Sequence, residues 1–444
     1  MKLVNIQKSF NIFTNLKFAI LILILLAIAS SLGSFIEQDE SKNFYVENYP
    51  LTKPIYGFIN STFILQLGMD HVYRTWWFLS LLVILGVCLI SCTITRQFPI
   101  LLTSKAYFFK TKKTSFLTLP LFVKLKDLYY LKESILVKIQ EMNFYVYQTN
   151  NIIYGYKGLI GRISPILVHL SLLIILFGSC FGAFNNFKAQ EMLPKGELFH
   201  IQNFIKVGWF TKIPSFTIRV NDFWVEYEKK KIHQFYSNLS IIDNSIKEIK
   251  TTTISVNNPL RYKTIDFYQS DWNIVGIRIK NLKENKILEY PVFSLKKDSK
   301  SWVTWIKEKD QNLTLVFDQL QNTFLVYNEK GEFIGTNMLG DNLLKNLKLI
   351  EIIPSTGLLI KYDPSIPFIY LGFALLMVTT TLSYLPYTQI WIVKNANEKS
   401  NINNSKNLLI GSTTNRGKIQ VEIEFENLLR KIEKTIKGTS IVKK

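Results

Sequence analysis

Residues 163–184 read ISPILVHLSLLIILFGSCFGAF, 22 residues without one charged side chain. About 20 apolar residues rising ~1.5 Å each cross a hydrocarbon core of ~30 Å. The stretch therefore reads as a transmembrane helix, with Pro165 near its first turn, where a missing N–H costs little. Inside it stands one ionisable residue, His169. An ionisable side chain at membrane depth is a functional-site hypothesis by default, and imidazole is a common metal ligand. The alternative is a histidine that hydrogen-bonds a neighbouring helix.

Three further apolar runs lie outward from this one, at Phe18 to Ile36, Trp76 to Ile94 and Ile366 to Leu385. Ala27-Ile28-Ala29 resembles a signal-peptidase site, but the run continues past it to Ile36, too long for a usual signal peptide. Tyr73, Trp76 and Trp77 at the start of the second run fit an interfacial aromatic belt, and Pro367 opens the fourth. The expected fold class is a membrane α-helical protein with four transmembrane helices. A large, mainly-β extramembrane domain separates helices three and four.

Loop charges give the expected orientation. Residues 95–162 form a basic loop with 11 Lys/Arg against 3 acids, and residues 386–444 form a tail with 11 against 5. The N-terminal 1–17 carries Lys2, Lys8 and Lys17 and no acid, whereas the 37–75 loop is acidic on balance. The positive-inside rule places both termini and the 95–162 loop inside, and the 37–75 loop and the 185–365 domain outside. The formal charge of +20 thus belongs to membrane-flanking loops and does not indicate a nucleic-acid surface.

Within 185–365, Phe216–Val220, Gly276–Lys280 and Leu313–Phe317 alternate with period two, and turns fall at Lys283–Lys286 and Glu329–Glu332. An antiparallel, sandwich-like unit follows. From about Lys394 to Lys418 the chain is rich in Asn, Ser, Thr and Lys, so the tail is expected to be partly disordered before a short amphipathic helix at Glu424 to Lys437. All three cysteines, Cys88, Cys92 and Cys180, lie in apolar runs, so the outer domain owes nothing to disulfides. No nucleophile elbow, P-loop, zinc-binding spacing or dinucleotide fingerprint occurs, which argues against a self-sufficient enzyme.

Several blocks, in order and spacing, resemble the ResB/CcsB family of system II cytochrome c biogenesis proteins. They are LKFAILILILLAIASSLGSFIEQ (16–38), LGMDHVYRTWWFLSLLVILGVCLISCTITRQFP (67–99), GYKGLIGRISPILVHLSLLIILFGS (155–179), VNDFWVEY (220–227), VNNPLRYKTIDFYQSDW (256–272), STGLLIKYDPSIPFIYLGFALLM (355–377) and SYLPYTQIW (383–391). The resemblance covers most of 16–393 and is of plastid type. Span one ends GSFIEQ, where the family usually has a proline before the glutamine. It implies a non-autonomous membrane subunit of a cytochrome c haem lyase that works with a CcsA-type partner. That complex moves haem outward for attachment to apocytochrome c. The tryptophan-rich signature of the partner is absent, and the WVTW at 302–305 is not that motif. Without a C-x-x-C-H motif the chain is not itself a c-type cytochrome.

The resemblance implies that His169, about 9 Å into the membrane from the inner side, is an axial haem ligand, the second coming from the partner. Arg162 anchors the inner end of span three or attracts haem propionates. Asp363 contacts the partner, or simply favours the N-terminus of the fourth helix. Trp272 stacks on haem or packs in the core. Cys88 and Cys92, about 18 and 24 Å from the outer end of span two, share a helix face as thiol ligands or as small hydrophobes. His71, His200 and His233 have no ligand-like spacing. Two rival functions stay open: a structural subunit that stabilises the partner without haem, and a receptor whose outer β domain binds another ligand. The absence of a transit-like extension and the richness in Lys, Asn and Ile point to a plastid-made thylakoid protein. Its termini would be stromal and residues 185–365 lumenal; the alternative is a bacterial cytoplasmic membrane.

Overall fold

The computed structural model describes residues 12–55, 57, 59–105, 109–110, 113–125, 132–149, 152–228, 231–243, 245, 247–295, 301–308, 311–318, 320, 323–344, 346–394 and 408–439. Four of its helices are long and apolar enough to cross a membrane, as the four runs require. In α1 (Leu16–Phe35) the buried residues Ile22, Leu26, Ala29 and Gly33 follow helical spacing along one face, while Leu21, Leu23 and Ile28 stay exposed. The side chain of Thr75 caps α2 (Trp76–Cys92) by accepting the Phe78 N–H. α1 and α2 pack on one another.

Span two does not stop at Ile94. The helix runs on through a π turn, Thr93–Gln97, into a further helical segment, Phe98–Lys105. Pro99 lacks the N–H that would bond back to Thr95, and its ring crowds that carbonyl. The chain absorbs this with a wider turn, in which the Phe98 N–H reaches the Thr93 carbonyl.

α3 (Ile160–Asn185) begins three residues before the uncharged run, which puts Pro165 beyond the first turn. α4 (Ile366–Ser383) crosses it closely. A Cβ on Gly372 would lie 2.5 Å from Ile175, and one on Gly178 3.1 Å from Ile369. Small residues permit such approach in a membrane, where apolar burial alone does not hold helices together.

By internal contacts the chain forms two units, Met1–Phe35 with Thr75–Cys180 and Pro367–Lys444, and Ile36–Arg74 with Phe181–Ile366. The first carries a five-stranded antiparallel sheet in the order Leu121–Leu125, Leu408–Thr414, Thr388–Lys394, Ile152–Lys157, Tyr145–Gln148. Segments before α3 and after α4 thus share one sheet, as two segments on the same side of a membrane can. Alternation sorts its faces. Ile153, Ile390, Ile392 and Ile410 meet helix Lys132–Glu141 and α5 (Lys418–Thr439) through Ile135, Ile139, Phe425 and Leu428. Tyr154, Trp391 and Leu409 face the other way, with Phe116 and Tyr387.

This corrects the expected linker. Residues 408–414 are a strand inside the sheet, with Leu408 to Ser412 buried, while 395–407 lie outside the described residues. The window's Asn and Ser content had masked the short apolar LLI. The closing amphipathic helix is longer than Glu424 to Lys437.

The second unit is mainly antiparallel β. Its spine is the pairing of strands Ile265–Asn281 and Leu347–Tyr362, with Phe187–Pro194 alongside. A four-stranded sheet containing Thr217–Glu228 and a five-stranded sheet containing Gln311–Phe317 complete it. Of the three strands expected from period-two alternation, Gly276–Lys280 and Leu313–Phe317 lie inside observed strands, and Phe216–Val220 starts one residue before the observed Thr217–Glu228. Two apolar cores result, one around Phe267, Ile218 and Leu358, the other around Trp272, Phe317 and Leu349. Between the strands Gln269 Oε1 accepts from the hydroxyls of Ser237 and Thr356 (2.8 Å for Thr356), and its amide donates to the Asp271 carbonyl at 2.8 Å. The 36–74 segment has its own small core of Ile36, Tyr45, Tyr49 and Ile64. Gln38 fixes its start, donating to the carbonyls of Ile36 (2.8 Å) and Met69 (2.9 Å) and accepting the Val72 N–H at 2.9 Å.

Candidate functional site

The π turn is what gives His169 its surroundings. Thr93 and Gln97, four residues apart and so on one side of the helix, both reach the imidazole. Thr93 Oγ1 lies 2.8 Å from Nδ1 and Gln97 Nε2 lies 3.1 Å from the ring Nε2. The Thr93 hydroxyl donates to the Leu89 carbonyl at 2.8 Å, so toward His169 it acts as acceptor. Nδ1 then carries the proton, and the lone pair sits on Nε2, covered by the Gln97 amide. His169, Thr93 and Gln97 are all half-buried, and Gln97 Oε1 is buried without a hydrogen bond.

Sequence reading found the histidine and missed both partners. The signal was present as Thr-x-x-x-Gln followed by Phe-Pro at 93–99, a polar pair next to a helix-disturbing proline. Cys92 precedes this pair, in keeping with the depth expected from span two. Cys88 is buried, Cys92 and Cys180 are half-buried, and all three are free thiols.

Arg162 lies seven residues before His169 on α3, about two turns and ~10 Å along the same face. Its guanidinium sits 5.0 Å over the ring of Tyr387, and its Nε is buried without a hydrogen bond. Tyr387 donates to the Ser104 carbonyl at 3.0 Å, and burial pushes its phenol well above the ordinary tyrosine range. Gly158, at φ +79°, and Gly161 let this end of α3 meet the chain leaving α4. A Cβ on either would fall 2.0 Å from the Pro386 carbonyl oxygen and 2.1 Å from that of Leu385, respectively.

The remaining candidates lie elsewhere. Asp363 Oδ1 accepts from the Ser365 N–H (3.0 Å) and hydroxyl (2.5 Å), closing the turn that leads into α4. Trp272 is 6% exposed in an apolar core, its ring 5.0 Å from Trp302 and 6.1 Å from Phe235. His71 pairs with Asp70, His200 lies 3.4 Å from the Thr217 hydroxyl, and His233 lies near Glu228. Among the described residues no group of three or more His, Cys, Asp or Glu is arranged to hold a metal. What this chain presents is one imidazole nitrogen, with a cation two turns away.

Four apolar helices long enough to cross a membrane and a large antiparallel β region between the third and fourth define an integral membrane protein. The ResB-like family model matches residues 16–318 and 306–426, and the chain belongs to that family. A relative from Thalassiosira pseudonana, cytochrome c biogenesis protein Ccs1, is 45% identical over 96% of this chain and all of its own length. The Ccs1 protein of Phaeodactylum tricornutum is 44% identical, again over 96% of this chain and all of its own. Cytochrome c biogenesis protein CcsB of Thermosynechococcus vestitus is 38% identical over 96% of each chain.

Proposed function

We propose that this protein is a membrane subunit of the cytochrome c maturation machinery. With a CcsA-type partner, it carries haem across the membrane and presents it for covalent attachment to apocytochrome c. The names of its relatives support the role in maturation. The observation that carries the haem reading is the pairing at His169. Thr93 keeps the proton on Nδ1 and holds the ring, and the Nε2 lone pair is covered by a side-chain amide that rotates about sp³ bonds.

A haem iron supplies the Lewis-acid centre for that lone pair. The chain's own residues do the rest. Gln97 turns aside to free Nε2, while Thr93 retains Nδ1–H and so keeps the imidazole oriented, the usual duty of a second hydrogen bond on a ligating histidine. Arg162, two turns away on α3, would offer a cation suited to a haem propionate. Any further ligand to the iron would have to come from the partner. Thioether formation needs reduced iron and reduced cysteine thiols, and this chain contributes a ligand and a scaffold to it.

Loop charges support a thylakoid orientation with both termini stromal and residues 185–365 lumenal, or the equivalent in a bacterial cytoplasmic membrane. A second reading, a structural subunit that stabilises the partner, draws on the same two hydrogen bonds, because they satisfy the imidazole within the chain. A deletion strain complemented with His169→Ala separates the two. Loss of haem-stained c-type cytochromes, with the variant still present in the membrane at wild-type level, is the expected result. Normal maturation would leave the structural reading standing.

A further inference from the structure

The end of α3 is sealed by a loop that the function above does not use. After Phe184 the uncharged run gives way to Asn185 and Asn186, which marks the edge of the hydrocarbon layer on the sequence. A helix end leaves carbonyls without partners, and these find theirs in residues 208–211. The Gly208 N–H donates to the Asn186 carbonyl (2.8 Å), the Phe210 N–H to the Phe184 carbonyl (2.9 Å), and the Thr211 hydroxyl to the Asn186 carbonyl (3.0 Å).

Gly208 makes the approach feasible. A Cβ there would lie 2.3 Å from the Phe184 carbonyl oxygen and 2.8 Å from the Asn185 nitrogen. The loop is therefore fastened to the last turn of a membrane span, and its level is set by that span.

Fastened there, it turns its largest apolar side chains outward. Trp209 is 85% exposed and Phe210 69%, and Ile213 is also exposed. Their rings lie 6.1 and 5.9 Å from that of Phe184, the last apolar residue of the run, so they continue the apolar surface of the helix. Lys212, exposed between them and Ile213, is a long cationic side chain of the kind that reaches lipid phosphates. Two aromatic rings and a lysine at the level of a helix end match the composition of a membrane–water interface belt.

We propose that residues 208–213 are a membrane-interface anchor. Trp209 and Phe210 sit at the headgroup–acyl boundary of the leaflet that the Asn185 end of α3 meets, with Lys212 among the phosphates. The anchor adds a lipid contact from a loop that follows the span in sequence. It is a lipid contact, not a protein one, so it forms with the chain alone.

The test uses the full chain in nanodiscs of phosphatidylcholine and phosphatidylglycerol. Trp209 emission is isolated as the difference between wild type and Trp209→Phe. Lipid brominated near the top of the acyl chain should quench that difference by about half or more, and lipid brominated near the chain end should quench it less, as a ring at the interface requires. Phe210→Trp, a gain of emission in an otherwise intact chain, should show the same depth dependence. Difference emission that ignores brominated lipid and is quenched by aqueous iodide would overturn the proposal. Emission quenched by neither would overturn it as well, since the rings would then be covered by protein.

Discussion

Gln97 and Gln269 are the same side chain in two polar clusters, one half-buried and one buried, and they are used differently. Gln269 lies between strands of the β unit, its oxygen accepting two hydroxyls and its amide donating to a carbonyl. Its partners stand on strands whose register is fixed by long ladders. Gln97 lies on a π turn in a helix, its amide on His169 and its oxygen buried without a hydrogen bond. A saturated cluster rigidifies a core, whereas an unsaturated one is a place where a group can leave and another take over. The first belongs to the fold, and the second is the one the proposed function uses.

Four substitutions probe that contrast. Trp272 packs beside the Gln269 cluster, and Trp272→Ala should cost about 3–5 kcal/mol. The readout is a lower melting temperature of the β unit in the intact chain. A melt like wild type would remove the residue from the core. Gln269→Ala removes the shared acceptor of the Ser237 and Thr356 hydroxyls, which keep each other at 2.8 Å, and should cost roughly 1–3 kcal/mol, measured in the same melt. An unchanged melt would show that the cluster contributes no more than the unsaturated one.

Tyr49 lies between these extremes. It donates to Glu37 Oε2 at 2.7 Å, and burial, then that bond, push its phenol up to about 12. The same bond holds the Glu37 carboxyl below its ordinary value. Tyr49→Phe should cost about 1 kcal/mol near neutrality. Glu37, with a lowered pKa, contributes stability that is present above about pH 4.5 and lost as pH falls through its folded value. Tyr49, with a raised pKa, contributes stability that is full below about pH 10 and lost as pH rises toward 12. The difference in melting temperature between wild type and Tyr49→Phe should therefore shrink at both ends of the scale. A difference constant across pH would sever the link between the two residues.

Gln97→Ala gives the smallest effect on stability, under about 1 kcal/mol, because its amide is the only bonded end. It should nevertheless alter haem occupancy of the partnered complex, which Gln269→Ala should not. A destabilisation equal to that of Gln269→Ala would erase the contrast.

Much of this was legible in the sequence. Four spans followed from uncharged runs, because a bilayer demands length and apolarity and little else. The β region followed from period-two alternation, whose faces the structure confirms at Ile277 and Ile279, both fully buried. What stayed hidden depended on neighbours that a single chain pattern does not reveal. Thr93 and Gln97 matter because Pro99 widens a turn toward another helix. The Leu408–Thr414 strand was lost in a polar window because its three apolar residues are too few to stand out, and only pairing with Thr388–Lys394 and Leu121–Leu125 makes it a strand. Gly208 was one glycine among 20 until the carbonyl of Phe184 was seen against it.

Whether Nε2 of His169 binds iron decides between a haem ligand and a residue that only joins two helices. The direct measurement is the absorption spectrum of the complex purified with its CcsA-type partner, taken for wild type, His169→Ala and Gln97→Ala at equal protein. A haem spectrum in wild type, lost in His169→Ala and retained or stronger in Gln97→Ala, is the predicted result. A His169→Ala complex with the wild-type haem spectrum would contradict it and leave His169 as a residue that only pairs two helices.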